Sequence, residues 1–208
     1  MKQITFYLDF VSPYAYLAFE RLPQELAGLS YSVTYQPVLL GALLQHHGNL
    51  APADVAAKRA WLYRHVSWLG QQQGLDFSMP LVHPFNPLPL LRLALACEAA
   101  GQPNRHVCGQ IFRHVWQGGA DAADPARLAS LQAALAPPRA PDDADVKQQL
   151  RSVTDAAARL GVFGVPAFVV DGKLFWGLDA LPMLRACLAG DAWFDGPQWD
   201  QALPLPRV

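Results

Sequence analysis

The chain has 208 residues, a net charge of −1 at neutral pH and a hydrophobic fraction of 52%. This size allows one large domain, or one domain with an insertion, around a sizeable core. The charge provides no basic surface for nucleic acid, and charged or proline residues interrupt every apolar run well short of a membrane span. The N-terminus leads directly into a strand without a signal-peptide segment, so we expect a cytoplasmic protein.

The first predicted unit is a strand, a helix and a second strand. Residues 3–10 form the first strand, and helical apolar spacing follows over residues 13–27. Pro23 lies inside this pattern and predicts a kink or a break. Residues 31–38 alternate as a strand. A βαβ unit of this length implies a parallel strand pair with a right-handed crossover.

The middle of the chain carries helical signals only. Asn104 and Asp124 are placed as helix N-caps, and a proline-rich loop separates the first two helices. The predicted helices of this block cover residues 54–73, 88–100, 104–116, 124–135 and 142–160.

Strand signals return near the C-terminus. Residues 166–170 and 173–177 flank the pair Asp171-Gly172, which is a strong signal for a β-hairpin. Asp179 is well placed to cap a last helix over residues 180–188.

This order of elements predicts an α/β chain with a thioredoxin-like fold and an inserted all-helical domain. We assign residues 1–40 and 155–190 to a discontinuous thioredoxin-like domain and residues 41–154 to the helical insertion. Residues 191–208 form a tail rich in Pro, Trp and Asp, which we expect to pack loosely or to cover a partner subunit.

The cysteines and histidines show no pattern of a redox or metal site. Cys97, Cys108 and Cys187 are widely spaced in helical apolar patterns, which favours buried thiols without disulfides. The adjacent pair His46 and His47, like the other histidines, lacks the spacing of metal ligands, and we expect no metal.

Two turns are expected to meet at one edge of the predicted sheet. Ser12 begins the first helix, whose free N–H groups and positive dipole end favour a thiolate or a carboxylate; an ordinary helix cap is the alternative. Val165–Pro166 is a candidate cis peptide at the start of the third strand. The Val165 backbone could then pair with an extended peptide, whereas a trans proline would only begin an edge strand.

Four segments spread over nearly the whole chain carry a family resemblance. They are residues 6–14 (FYLDFVSPY), 83–87 (HPFNP), 163–172 (FGVPAFVVDG) and 175–179 (FWGLD). In this order they resemble the 2-hydroxychromene-2-carboxylate isomerases. That family is similar to kappa-class glutathione transferases and, more distantly, to DsbA-like disulfide oxidoreductases.

The resemblance implies a glutathione-dependent, cytoplasmic, homodimeric enzyme. Ser12 stands where the disulfide oxidoreductases have their first cysteine, and Ala15 stands where they have the second. Without these thiols the chain lacks the groups that disulfide exchange needs. The sulfur would come from glutathione, and Ser12 would donate a hydrogen bond to its thiolate.

The resemblance also implies how glutathione is held. The backbone of Val165 would pair with the cysteinyl unit, while Leu178, through its backbone, and Asp179 would hold the γ-glutamyl end. Asn49 and Lys58 match the positions for the glycine carboxylate; a plain turn and a solvated helix face are their alternatives.

The implied substrate is a small aromatic 2-oxo acid. The thiolate would attack the unsaturated ring-opened acid, rotation would follow, and elimination would yield the trans product. Phe85 and Asn86 would line the substrate pocket, with Tyr14 near the sulfur, although this loop could be an ordinary helix connection. The chain departs from the family at Ala180, where an arginine is common, and so lacks one charged contact.

Three other functions compete with the isomerase. A kappa-like glutathione transferase or peroxidase acting on small electrophiles would use the same residues. A non-catalytic thioredoxin-fold binding module would not depend on Ser12 for any activity. A disulfide oxidoreductase is the least favoured, because the paired active-site thiols are missing.

Overall fold

The structure, a computed structural model, describes residues 1–99 and 101–201. The strands are β1 (Lys2–Leu8), β2 (Tyr31–Pro37), β3 (Ala167–Val170) and β4 (Lys173–Trp176). The α-helices are α1 (Pro13–Glu25), α2 (Leu40–His46), α3 (Ala56–Gln72), α4 (Leu88–Ala96), α5 (Arg105–Trp116), α6 (Pro125–Leu135), α7 (Ala144–Arg159), α8 (Leu181–Leu188) and α9 (Pro197–Gln201). Short 3₁₀ helices span Pro52–Asp54, Leu178–Ala180 and Ala192–Phe194.

The strands form one sheet in the order β2-β1-β3-β4. β1 is parallel to β2 and antiparallel to β3, so Phe6 faces Tyr35 on one side and Phe168 on the other. Asp171 and Gly172 join β3 to β4 with positive φ angles of 48° and 76°, the backbone of a type I′ turn. The predicted βαβ unit and hairpin are confirmed, and they meet through the pairing of β1 with β3.

Helices cover both faces of the sheet. Phe6 on one face belongs to a large core with Phe19 of α1 and Phe112 of α5, whose rings lie 5.1 Å apart. Tyr7 on the other face packs with Val162 and with Ala157 of α7. The inserted helices therefore share their core with the sheet, and the division of the chain into two domains remains a prediction.

Helix α1 continues past Pro23, so the predicted break is wrong. A proline at this position supplies no N–H for the carbonyl of Phe19, four residues earlier. The Arg105 guanidinium donates to that carbonyl instead, at 2.9 Å, and its carbon lies 4.0 Å from the centre of the Phe19 ring. Since α5 replaces the missing hydrogen bond, the helix runs on to Glu25.

Helix α2 is an element that the sequence patterns do not predict. Its N-cap residue, Leu39, has no side chain that can accept a hydrogen bond. The first N–H groups instead reach distant acceptors, because Leu39 donates to the hydroxyl of Thr154 and Leu40 to the carboxylate of Asp9. The caps of α2 are tertiary contacts, and local sequence carries no sign of them.

The end of the chain differs from expectation in two ways. Asp179 lies inside a 3₁₀ helix and does not cap α8, whose N-cap residue is Ala180. The tail packs tightly at Phe194, which is buried with its ring 5.8 Å from that of Phe175, and its expected contact with a partner subunit remains a prediction. Residues 202–208 of the predicted tail lie outside the described residues.

Among the described residues, no helix combines the length and the apolar character needed to cross a bilayer. The same part of the chain contains no group of three or more His, Cys, Asp or Glu side chains arranged to hold a metal ion.

Candidate active site

Ser12 lies at the junction of β1 and α1, as predicted. Its Oγ accepts a hydrogen bond from the Ala15 N–H at 3.2 Å, which makes Ser12 the N-cap of α1. The same hydroxyl donates to the carbonyl oxygen of Val165 at 3.4 Å. Ser12 is only 6% exposed, so the positive end of the helix acts on it in a poorly solvated place.

The turn before β3 brings Val165 to Ser12. The Val165–Pro166 peptide bond is cis, as the sequence predicts. The Val165 N–H has no acceptor among the described residues, although Val165 is only 8% exposed. An extended ligand in the cavity could pair with this N–H.

A cavity of about 430 Å³ opens beside these two residues. Its walls are largely apolar, with polar groups at a few points. Ser12, Tyr14, Asn49, His83, Val165 and Trp176 are among its lining residues. A mostly apolar cleft with a few converging polar groups is the usual form of a small-molecule site.

Asn49 and Lys58, the two residues expected to bind a glycine carboxylate, occupy neighbouring hollows. Asn49 lines the main cavity with Ser12. Lys58, on α3, lines an adjoining hollow of about 470 Å³ whose wall includes Tyr14 and Trp61. Tyr14, Pro52 and Leu62 line both hollows, so the two lie side by side.

Phe85 and Asn86 are not among the residues that line this cavity, and their role in binding the substrate remains a prediction. The Asn86 side-chain oxygen accepts the Leu88 N–H at 3.1 Å and so satisfies a donor at the start of α4. Phe85 packs against the main core. Of the same loop, His83 and Pro84 line the cavity instead.

Leu178 and Asp179 follow β4 in a 3₁₀ helix and are not among the residues that line the cavity. Leu178 packs in a small cluster with Tyr14 and Leu17. The exposed Asp179 carboxylate has no hydrogen-bond partner within the residues that the structure describes. Burial, and to a lesser degree the charge of Asp179, raises the pKa of Tyr14, so the phenol stays protonated at neutral pH.

His83, Phe163 and Trp176 are among the lining residues without a predicted role. All three stand in resemblance segments, which was the available signal for them. Phe163 and Trp176 form an aromatic wall with ring centres 4.9 Å apart, and Trp176 is 54% exposed. An exposed tryptophan beside a cavity is a signal that only the tertiary structure supplies.

The chain's own thiols take no part in this site. Cys97, Cys108 and Cys187 are free, and none is among the described residues that line the cavity. Burial raises the pKa of Cys97 to about 11 and that of Cys108 further still, so both stay as inert thiols. Cys108 is buried as predicted, whereas the other two are partly exposed.

The order of elements defines the class of protein. A βαβ unit and a β-hairpin joined in one sheet, with helices inserted between them, form a thioredoxin-like fold. The family model described as DSBA-like thioredoxin domain matches residues 3–189. The chain therefore belongs to the DsbA-like thioredoxin family, and the predicted fold class is confirmed.

Individual relatives agree with the predicted resemblance. Glutathione S-transferase kappa 1 of Rattus norvegicus is 28% identical over 215 residues, covering 94% of each chain. A 2-hydroxychromene-2-carboxylate isomerase of Sphingobium xenophagum is 26% identical over 200 residues, covering 90% of this chain and 98% of that protein. A solved structure of a 2-hydroxychromene-2-carboxylate isomerase has the same fold, with a TM-score of 0.78 and 22% identity over 97% of this chain and all of that one.

Proposed function

We propose that this protein is a glutathione-dependent isomerase of 2-hydroxychromene-2-carboxylate or a close aromatic analogue, with trans-o-hydroxybenzylidenepyruvate as its product. The observation that carries the proposal is the hydroxyl of Ser12 at the positive end of α1, beside the Val165 backbone. No cysteine is among the described lining residues, so a thiol reaction here needs an external thiol. The two kinds of named relative support glutathione as that thiol and isomerisation as the reaction.

The residues of the cavity fit glutathione. The Val165 N–H, which lacks an acceptor in the described chain, would pair with the cysteinyl backbone. Asn49 and Lys58 would hold the glycine carboxylate. The backbone of Leu178 and the carboxylate of Asp179 would hold the γ-glutamyl end, where the carboxylate meets an ammonium group.

Bound glutathione supplies a thiolate that adds reversibly to a conjugated double bond, allows rotation about it and departs unchanged, so no oxidant or reductant is consumed. Ser12 would donate a hydrogen bond to the sulfur, and the end of α1 would add a favourable potential. Both effects favour the thiolate over the thiol and therefore lower the pKa of the bound thiol.

The cavity walls serve the aromatic acid. Leu44, Leu62 and Phe163 exclude water from one side of the cavity, which strengthens each remaining polar contact. The hydroxyl of Tyr14 lies 2.8 Å from His65 Nδ1 and is held at the edge of the cavity. With His65 Nδ1–H as the donor to it, the hydroxyl would keep its own proton for the oxygen on which negative charge develops during the reaction.

Spectra of the chromene carboxylate with and without glutathione test the proposal. We expect conversion to the trans isomer only when glutathione is present, with the full amount of free glutathione recovered afterwards. An absence of isomerisation at every glutathione concentration would contradict the isomerase.

A kappa-like glutathione transferase or peroxidase is the second candidate, favoured by the rat relative. It predicts that glutathione is consumed in proportion to a small electrophile or peroxide, and the same assay distinguishes the two functions by this consumption. The homodimer and the cytoplasmic location remain predictions.

A further inference from the structure

The two peptide groups that precede Ser12 are held at every polar atom. The Val11 N–H donates to the side chain of Asp9 at 3.1 Å, and the Ser12 N–H donates to the backbone carbonyl of Asp9 at 3.1 Å. The Phe10 carbonyl accepts from the Trp116 indole at 3.0 Å. The Val11 carbonyl accepts from His83 Nε2 at 2.8 Å.

The position of His83 determines which of its nitrogens carries the proton. The Val11 carbonyl can only accept, so Nε2 must be the donor. In the neutral ring Nδ1 is then the acceptor; it lies 2.9 Å from the hydroxyl of Tyr63, which also donates to the backbone carbonyl of His83 at 2.7 Å. Burial lowers the pKa of His83, which favours this neutral form.

Both ends of the Val11–Ser12 peptide plane are therefore bonded. The plane contains the Val11 carbonyl, held by His83, and the Ser12 N–H, held by Asp9. Its orientation sets φ of Ser12, which is −90°, and hence the direction of the bond from Cα to Cβ. If one end is released, the plane can rotate and carry the Ser12 hydroxyl away from its place.

We propose that His83 is a positioning residue that orients the Ser12 hydroxyl by holding the Val11 carbonyl. The inference rests on the proposed role of Ser12 and adds a second role for the insertion. His83 lies between α3 and α4, its partner Tyr63 lies on α3, and Trp116 ends α5. The inserted helices thus hold the turn that carries Ser12, in addition to enclosing the substrate.

The test compares three variants. His83→Phe keeps a ring but removes the donor, whereas His83→Gln keeps an N–H donor on a side chain of similar reach. His114→Phe is the matched control, because His114 is half-buried and its Nε2 also bonds a backbone carbonyl, that of Ala122, at 3.0 Å. His114 is not among the residues that line the cavity.

The catalytic measurements are kcat, the KM for glutathione, and the pKa of the bound thiol from thiolate absorbance. We expect His83→Phe to lower kcat about 30-fold while the KM changes less than about threefold, as for a misplaced catalytic group. The pKa of the bound thiol should rise. His83→Gln should recover most of kcat, and His114→Phe should leave kcat and the thiol pKa unchanged. Equal losses in His83→Phe and His114→Phe would overturn the proposal.

Hydrogen exchange of the amides of residues 11–16 provides a measurement that does not depend on activity. We expect faster exchange in His83→Phe and wild-type exchange in His114→Phe. Unchanged exchange in His83→Phe would overturn the positioning role. If the wild-type protein binds no glutathione but His83→Phe still speeds exchange here, the proposed function fails and the positioning role stands.

Discussion

The hydroxyl of Ser12 lies 3.4 Å from the carbonyl oxygen of Val165, although 153 residues separate the two in the chain. Ser12 Oγ also accepts a hydrogen bond from the Ala15 N–H, so the one proton of the hydroxyl is directed to the Val165 carbonyl. A bound thiolate would accept this hydrogen bond in place of the Val165 carbonyl, and the released carbonyl could accept an N–H from a bound peptide. One hydroxyl thus connects the helix cap, the edge that pairs with a peptide, and the proposed thiolate site.

Ser12→Ala removes the proposed thiolate donor. We expect kcat/KM for the glutathione-dependent reaction to fall about 100-fold, the usual loss when a stabilising donor is deleted. Because the oxygen also caps α1, the free energy of unfolding should fall by about 1 kcal/mol. Enzyme kinetics and urea unfolding measure the two effects.

Asn104→Ala is the control for the lost cap. The Asn104 side chain accepts the Val107 N–H at 3.0 Å at the start of α5, away from the cavity. We expect Asn104→Ala to lower the free energy of unfolding by a similar amount and to leave kcat/KM unchanged. Full activity in Ser12→Ala would instead show that Ser12 is not the thiolate donor.

Asn49→Ala and Lys58→Ala test the proposed glycine-carboxylate site. Loss of a hydrogen bond to a charged group should weaken glutathione binding about tenfold in Asn49→Ala. Loss of an exposed ion pair should weaken it only about threefold in Lys58→Ala. The effect of Lys58 should shrink as salt is added, because salt screens exposed charges. Calorimetry measures both affinities.

Arg59→Ala is the matched control for Lys58. Arg59 is its exposed neighbour on α3 and is not among the residues that line either hollow. Its loss should leave glutathione binding unchanged. Equal weakening by Arg59→Ala and Lys58→Ala would mean that only the general positive charge of the helix matters.

Gly164→Ala should disturb the cavity wall. A Cβ at Gly164 would lie 2.8 Å from the indole nitrogen of Trp176, so the half-exposed indole must move. We expect a stability loss of about 1 kcal/mol, at the low end for overpacking, because Trp176 can yield. Glutathione affinity should fall about fivefold, equivalent to about 1 kcal/mol.

Gly41→Ala controls for adding a methyl group near the site. A Cβ at Gly41, in α2, would meet nothing within 4 Å. We expect a stability gain of about 0.5 kcal/mol from helix propensity and unchanged affinity. The interpretation of Gly164 would be wrong if both variants bound glutathione like the wild type.

Asp9 predicts how stability depends on pH. Burial raises the pKa of this carboxyl to about 7, against the opposing hydrogen bonds from the N–H groups of Leu40 and Val11. Between its ordinary pKa and about 7 the folded state binds a proton that the unfolded state has lost. Within this window the free energy of unfolding should therefore fall with rising pH, by up to about 1.4 kcal/mol per pH unit from this group.

Asp9→Asn should remove that slope. Denaturant unfolding at several pH values from 4 to 8 measures it. At pH 4 the variant has one acceptor fewer, so its free energy of unfolding can be lower there. Its free energy of unfolding should nevertheless change less with pH than that of the wild type. Identical slopes in the two proteins would show that Asp9 is not the responsible group.

Local signals explain why much of the fold is predictable. The caps Ser12, Asn104 and Asp124 bond to N–H groups three residues ahead, and the Asp171-Gly172 turn needs only its own residues. Each of these features is complete within a few residues, so the sequence shows it. The proline at the start of the third strand likewise marks Val165–Pro166 as a candidate cis bond, which the structure confirms.

Other features are decided by residues that are distant in the chain. Helix α2 is capped by Asp9 and Thr154, and α1 survives Pro23 because Arg105 bonds the freed carbonyl. The resemblance identified the loop at residues 83–87. It did not show which side chains of this loop face the cavity. His83 faces it, whereas Asn86 satisfies the backbone of α4.

By itself the sequence determined the order of strands and helices, the cap at Ser12 and the absence of a paired active-site thiol, because these depend on residue type and short spacing. Only the tertiary structure decided how the turn at Ser12 is held and which residues surround it. Long-range hydrogen bonds such as that from His83 to Val11 have partners that no local pattern connects. They form only when the helical insertion packs against the sheet.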